Sequence, residues 1–258
     1  MFSSSGRLLT GVVALGALLV AGFSGWLDRE PAPGARKAAR SPASSPSSPG
    51  AEPGLTADQA RSALIGDADL GGSWTPTEGA ATWRDGLLKS AAATPACQRL
   101  MDVLYADDLL GDASPPPAVV ALDDGEDQAQ LRYQVASRTP ADVDRTLAWL
   151  RTLPQECAGF TTATVAAGPQ SVQVAPAELP PLGDDRQGLR VTVTGQTPDE
   201  NGEPVVLTLD VALVRVGDDA ITVTTGSLGA DTADTTAQAL QQGTQRLTQI
   251  RQQGHLQA

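Results

Sequence analysis

The chain has 258 residues, 41% of them hydrophobic, 19% charged and 3% aromatic, with a formal net charge of −12. That balance suits a folded protein of one or two domains rather than a wholly disordered chain, and the acidic excess weighs against a nucleic-acid partner, because phosphate binding needs a basic face. With His255 as the single histidine and only two cysteines, most nucleophilic triads and zinc sites cannot be assembled, so neither an enzyme nor a cofactor or metal is expected.

In chain order, the first feature is Leu8–Leu27, an uncharged run of twenty residues. As a helix it would reach about 30 Å, the thickness of a bilayer's hydrocarbon core. Trp26 suits an interfacial anchor near its outer end. Residues 1–30 are therefore read as a signal anchor. The competing reading is a signal peptide cleaved to release a secreted protein. Val20-Ala21-Gly22 is a mediocre cleavage site, and no cysteine follows the run to take a lipid, so the retained single-pass anchor is favoured. Arg29, Arg36, Lys37 and Arg40 outnumber Arg7, which by the positive-inside rule alone would hold the carboxyl side in the cytoplasm. A short tail before an apolar run is nevertheless the usual export signal.

Residues 31–54 follow, with 20 of 24 positions Pro, Ser, Ala or Gly and no large apolar side chain. Such a segment cannot bury enough surface to fold and reads as a disordered tether, reaching about 75 Å if fully extended. Residues 1–54 hold 5 of the 18 basic and 3 of the 30 acidic groups, leaving 13 and 27 in residues 55–258, a net −14. Those acids cluster at turn-like positions, and residues 55–258 read as the extracytoplasmic domain.

Within it, Thr56 with Gln59 predicts a capping box and a short first helix through Leu64 and Ile65. Thr94-Pro95 and Thr139-Pro140 each place a cap residue before a proline at a helix start. The former opens a helix with Cys97, Leu100, Met101 and Leu104 on one face. The latter carries Val143, Leu147 and Leu150 and is expected to stop at Pro154. A last helix is predicted from about Asp231 to Gln253. Alternation marks strands around Ala129–Val135, Leu189–Thr194, Leu207–Leu213 and Ile221–Val223, with shorter candidates at Val119–Leu122, Thr161–Ala166 and Ser171–Ala175. Asn201-Gly202 and Gly217-Asp218-Asp219 supply turns. The expected fold is α+β, an antiparallel sheet of six or seven strands with one face polar, packed with about four helices. Cys97 and Cys157 can form one disulfide, closing a loop worth up to about 4 kcal/mol in an oxidising compartment. Two buried thiols in a cytosolic core are the alternative, and the export-type N-terminus favours the bond.

Three short stretches carry a resemblance: Asp69-Leu70-Gly71-Gly72-Ser73-Trp74, Leu179-Pro180-Pro181-Leu182-Gly183-Asp184-Asp185, and Val214-Arg215-Val216-Gly217-Asp218. With Cys97 and Cys157 they resemble the extracellular sensor-type domain of actinobacterial Ser/Thr kinases of the PknH kind, over approximately Leu55 to Gln253. The resemblance implies an α+β domain outside the membrane with an antiparallel sheet, helices and a ligand-binding cleft. The kinase version is expected to have two disulfides where this chain has one candidate. With only seven residues before the apolar run and no kinase, signalling would need a partner.

Among candidate sites, Trp74 and Trp83 lie in a Gly-rich, irregular segment and are candidate ligand-binding residues beside a core-plug reading. Arg132 and Arg190, on polar strand faces, could hold an anion or be solvated; Arg132 is retained as a candidate. Trp149 reads as packing. The clusters Asp107-Asp108 with Asp112, and Asp123-Asp124-Gly125-Glu126-Asp127, lack the alternate ligand spacing of a calcium loop and read as solvated turns. The leading expectation is a non-enzymatic, membrane-tethered binding or sensor-type domain. Its partner would be an unknown small molecule, lipid or cell-envelope ligand, with a membrane protein as a further possible partner. The alternative is a structural or protein-interaction component of the envelope.

Overall fold

Thr56 Oγ1 accepts from the Gln59 backbone N–H while the Gln59 side chain accepts from the Thr56 N–H, so the capping box forms and opens α1 (Ala57–Ser62) in the computed structural model. The structure describes residues 54–257 except 80, 82, 112–114, 167 and 199–201. The expected anchor, the tether before Gly54, Asp112 and Asn201 therefore lie outside the described residues. Among the described residues no helix is long and apolar enough to cross a membrane.

After α1 come α2 (Asp67–Leu70), β1 (Trp74–Pro76), a π-helical segment (Arg84–Leu88) and β2 (Ala91–Ala92). Then follow α3 (Pro95–Ala106), β3 (Ala118–Asp124), β4 (Ala129–Ser137), α4 (Pro140–Glu156), β5 (Gly159–Thr164) and β6 (Gly168–Ala177). The chain ends with β7 (Asp185–Pro198), β8 (Pro204–Val216), β9 (Asp219–Leu228) and α5 (Ala233–Gln257). All nine strands join one antiparallel sheet, ordered β1-β3-β4-β9-β8-β7-β6-β5-β2. It is a five-strand meander, β5 to β9, whose last strand pairs with the β3–β4 hairpin.

The seven strands read from alternation are present, but nine is the count among the described residues. The two additions, β1 and β2, have three and two residues and lie at the sheet's edges, too short to show a period of two. Helices likewise exceed the expected four, because α2 and the π-helical segment are too short for a helical stripe. Thr139 caps α4 by accepting from the Asp142 N–H, whereas Thr94 makes no capping bond and Pro95 alone marks the start of α3. Pro154 does not stop α4: it lies inside the last turn, and the Cys157 N–H still reaches the Leu153 carbonyl at 2.8 Å.

The expectation of one polar sheet face needs correction. One apolar cluster packs α3 and α4 on β6, β7 and one face of β8; a second packs α1 and α5 on β3, β4, β9 and the other face of β8. β8 serves both: Leu207, Leu209, Val211 and Leu213 join the first cluster, Ala212 and Val214 the second. The outer part of the second face is open, where Thr161, Ala163, Ser171 and Gln173 on β5 and β6 are exposed. A strand buried on both sides reads as a continuous apolar run, as Val211–Val214 does. Two glycines permit close approaches. A Cβ at Gly243 of α5 would sit 2.6 Å from the hydroxyl-bearing ring carbon of buried Tyr133, and one at Gly226 of β9 would sit 2.7 Å from the Trp83 ring.

Candidate functional site

Cys97 and Cys157 are bonded, with Cα atoms 5.7 Å apart and both side chains buried. The bond ties the first turn of α3 to the residue after α4. At the opposite end Arg138, just before α4, donates to the Leu110 carbonyl at 2.8 Å and to the Gly111 carbonyl, both just after α3. The start of one helix thus meets the end of the other at both extremities, so α3 and α4 run antiparallel and are fixed at each end. Between the pins lies a groove of about 540 Å³. This is within the range of small-molecule sites, about 300–1,000 Å³.

Arg99, Val103 and Leu110 line the groove from α3 and the loop after it; Arg138, Arg145, Thr146 and Trp149 line it from the α4 side. The Arg99 guanidinium lies over the Trp149 ring, 4.1 Å from its centroid. Arg145 Nη1 meets Asp142 at 3.0 Å across an exposed pair one turn apart. The Thr139 hydroxyl donates to Asp142 as well, and with Arg145 it holds that carboxyl below the ordinary carboxylate range. None of Arg99, Arg138 and Arg145 was a candidate on sequence grounds, and Trp149 read as packing. The available signal was the spacing of Arg145 and Trp149, four residues apart on one helix face. The Arg99 partner lies 50 positions away, which no local pattern reveals.

The residues singled out from sequence are placed elsewhere and do not converge. Trp83 is 7% exposed and belongs to the α3–α4 cluster, where it edges a hollow of about 260 Å³ with Asp123, Asp124 and Gln130. Trp74 packs against the α1–α5 cluster from the edge strand. Arg132 faces Asp107, its Nε 3.8 Å from Oδ2, while Arg84 meets the same oxygen at 2.7 Å. Arg84 also donates to the Leu104 and Tyr105 carbonyls, closing the end of α3. Arg190 makes a two-point contact with Asp210, both bonds 2.9 Å, and reaches Asp231 at 2.7 Å, so its charge is matched internally.

Nor are all the acids solvated turn residues. Asp107 ends α3 in the left-handed region, φ 52°, and burial raises its carboxyl pKa against the pull of Arg84 and Arg132. Asp219 sits in β9 rather than in the turn, because the two-residue turn is Gly217-Asp218 and Val216 pairs with Asp219. It is wholly buried with Arg251 at 3.1 Å, and burial pushes its pKa up to about 6. Among the described residues no three His, Cys, Asp or Glu side chains are grouped so as to hold a metal ion.

No protein-family model matches the chain, and no curated protein matches it. Among solved structures it is similar to the extracellular domain of PknH from Mycobacterium tuberculosis, with 13% identity and a TM-score of 0.45. The match covers 78% of this chain and 100% of that one. The chain thus resembles that domain distantly.

Proposed function

We propose that residues 55–258 form a non-enzymatic, extracytoplasmic ligand-binding domain of sensor type, tethered to the membrane by the N-terminal segment, with its ligand in the α3–α4 groove. The observation that carries this reading is the frame around the groove. A disulfide pins one end of the two helices and the Arg138 bonds pin the other. A groove held open before binding loses less ordering entropy when occupied, the usual design of a binding site. The disulfide supports an oxidising compartment. A membrane-protein partner would pass any signal onward.

The test uses the full-length chain in detergent, heated with envelope lipid and glycan fractions. The reading expects a fraction that raises the melting temperature of the wild type and not that of Val103→Trp or Thr146→Trp, each of which fills the groove. An equal rise in the filled variants would place binding elsewhere and overturn it.

A further inference from the structure

Among the described residues Arg99 makes no ion pair with a carboxylate, and its guanidinium stacks on Trp149. Stacking uses the flat face of a guanidinium and leaves its in-plane N–H donors for an oxyanion. Arg145 stands one helical turn from Trp149 on the same face, and its pairing with Asp142 is a surface contact, the two side chains 75% and 46% exposed. Such pairs contribute little, about 0–1 kcal/mol, so a ligand anion can compete for this guanidinium. Among the described residues the groove lining sets Arg99 and Arg145 beside Asp108 and Asp142. Beside these charges run Val103, Leu110 and the uncovered part of Trp149, an apolar strip.

Resting on the groove reading above, we infer that the ligand is a small organic anion. Its carboxylate or phosphate sits between Arg99 and Arg145, and its ring or apolar body lies along Trp149 and Leu110. The Arg–Trp stack holds the cation in place, so the anion meets a donor set that needs little ordering. Arg138 has a different role, since its bonds to the Leu110 and Gly111 carbonyls hold these two lining residues in place.

The test follows the four tryptophan indole N–H resonances of the full-length protein in detergent. That of Trp149 is assigned by its loss in Trp149→Phe. Phenyl phosphate and phenylacetate are titrated against benzyl alcohol, their neutral counterpart. The inference expects the anions to shift the Trp149 signal with at least about tenfold tighter binding than the alcohol. Arg99→Gln should remove that preference, and Arg145→Gln should weaken it, without loss of the other three indole signals. Vesicles of phosphatidylglycerol against phosphatidylcholine distinguish the source. Perturbation by the former alone points to a lipid headgroup, and perturbation by the soluble anions alone to a free ligand; either sustains the inference. Equal binding of benzyl alcohol at Trp149 overturns the anion assignment while leaving the groove reading intact. A Trp149 signal that no probe moves, or anion binding unchanged in Arg99→Gln, also overturns it.

Discussion

Asp219 shows how far a side chain's neighbours can change what its sequence context suggests. Next to Gly217 and Asp218 it reads as a wet turn residue, yet it is fully enclosed beside Arg251. Burial raises its pKa to about 6, so the folded state holds a proton that the unfolded chain releases at lower pH. A raised carboxylate pKa means that stability falls as pH rises from about 4 to about 6 through this group. Urea titrations across that window should show the slope in the wild type and a flatter profile in Asp219→Asn; an unchanged slope would assign the effect to other groups. Gly243 gives a second test. Gly243→Ala drives a methyl into Tyr133 and should destabilise by roughly 1–3 kcal/mol, as overpacking does. Adding Tyr133→Phe should recover part of the loss in chemical denaturation. The same residues show what the sequence conceals. Alternation tells which side of a strand is apolar, but not that Asp107 and Asp219 each meet an arginine from a helical segment elsewhere in the chain.

Elements long enough to show a period were legible: α3, α4, α5 and seven strands follow from apolar spacing and cap residues. The edge strands were not, because two or three residues cannot display alternation. The burial of both sheet faces was half visible, in the unbroken run Val211–Val214. The candidate site was less legible than the fold. The pairing of Cys97 with Cys157 could be read, yet the groove it frames depends on α3 and α4 lying side by side, a tertiary fact. That disulfide should matter in proportion to its loop, whose ends are 60 positions apart. Cys97→Ala/Cys157→Ala is expected to lower unfolding stability by up to about 4 kcal/mol in urea. If the bond also frames the groove, hydrogen exchange in the variant should accelerate along α3 and the end of α4 before it does in the β7–β8–β9 core. Uniform acceleration would indicate a global stabiliser with no local role.

The whole domain is an acidic body with a sheet enclosed for most of its area by helices on two sides, and its arginines are mostly matched by aspartates within the fold. Among the described residues Arg99 is an exception, and it stands in the groove that two cross-connections frame. The most direct measurement is a hydrogen-exchange footprint of the full-length protein with the envelope fraction that stabilises it. Protection concentrated at residues 99–111 and 138–149 is the predicted result. Protection on the open face of β5 and β6, with those segments unchanged, would contradict it.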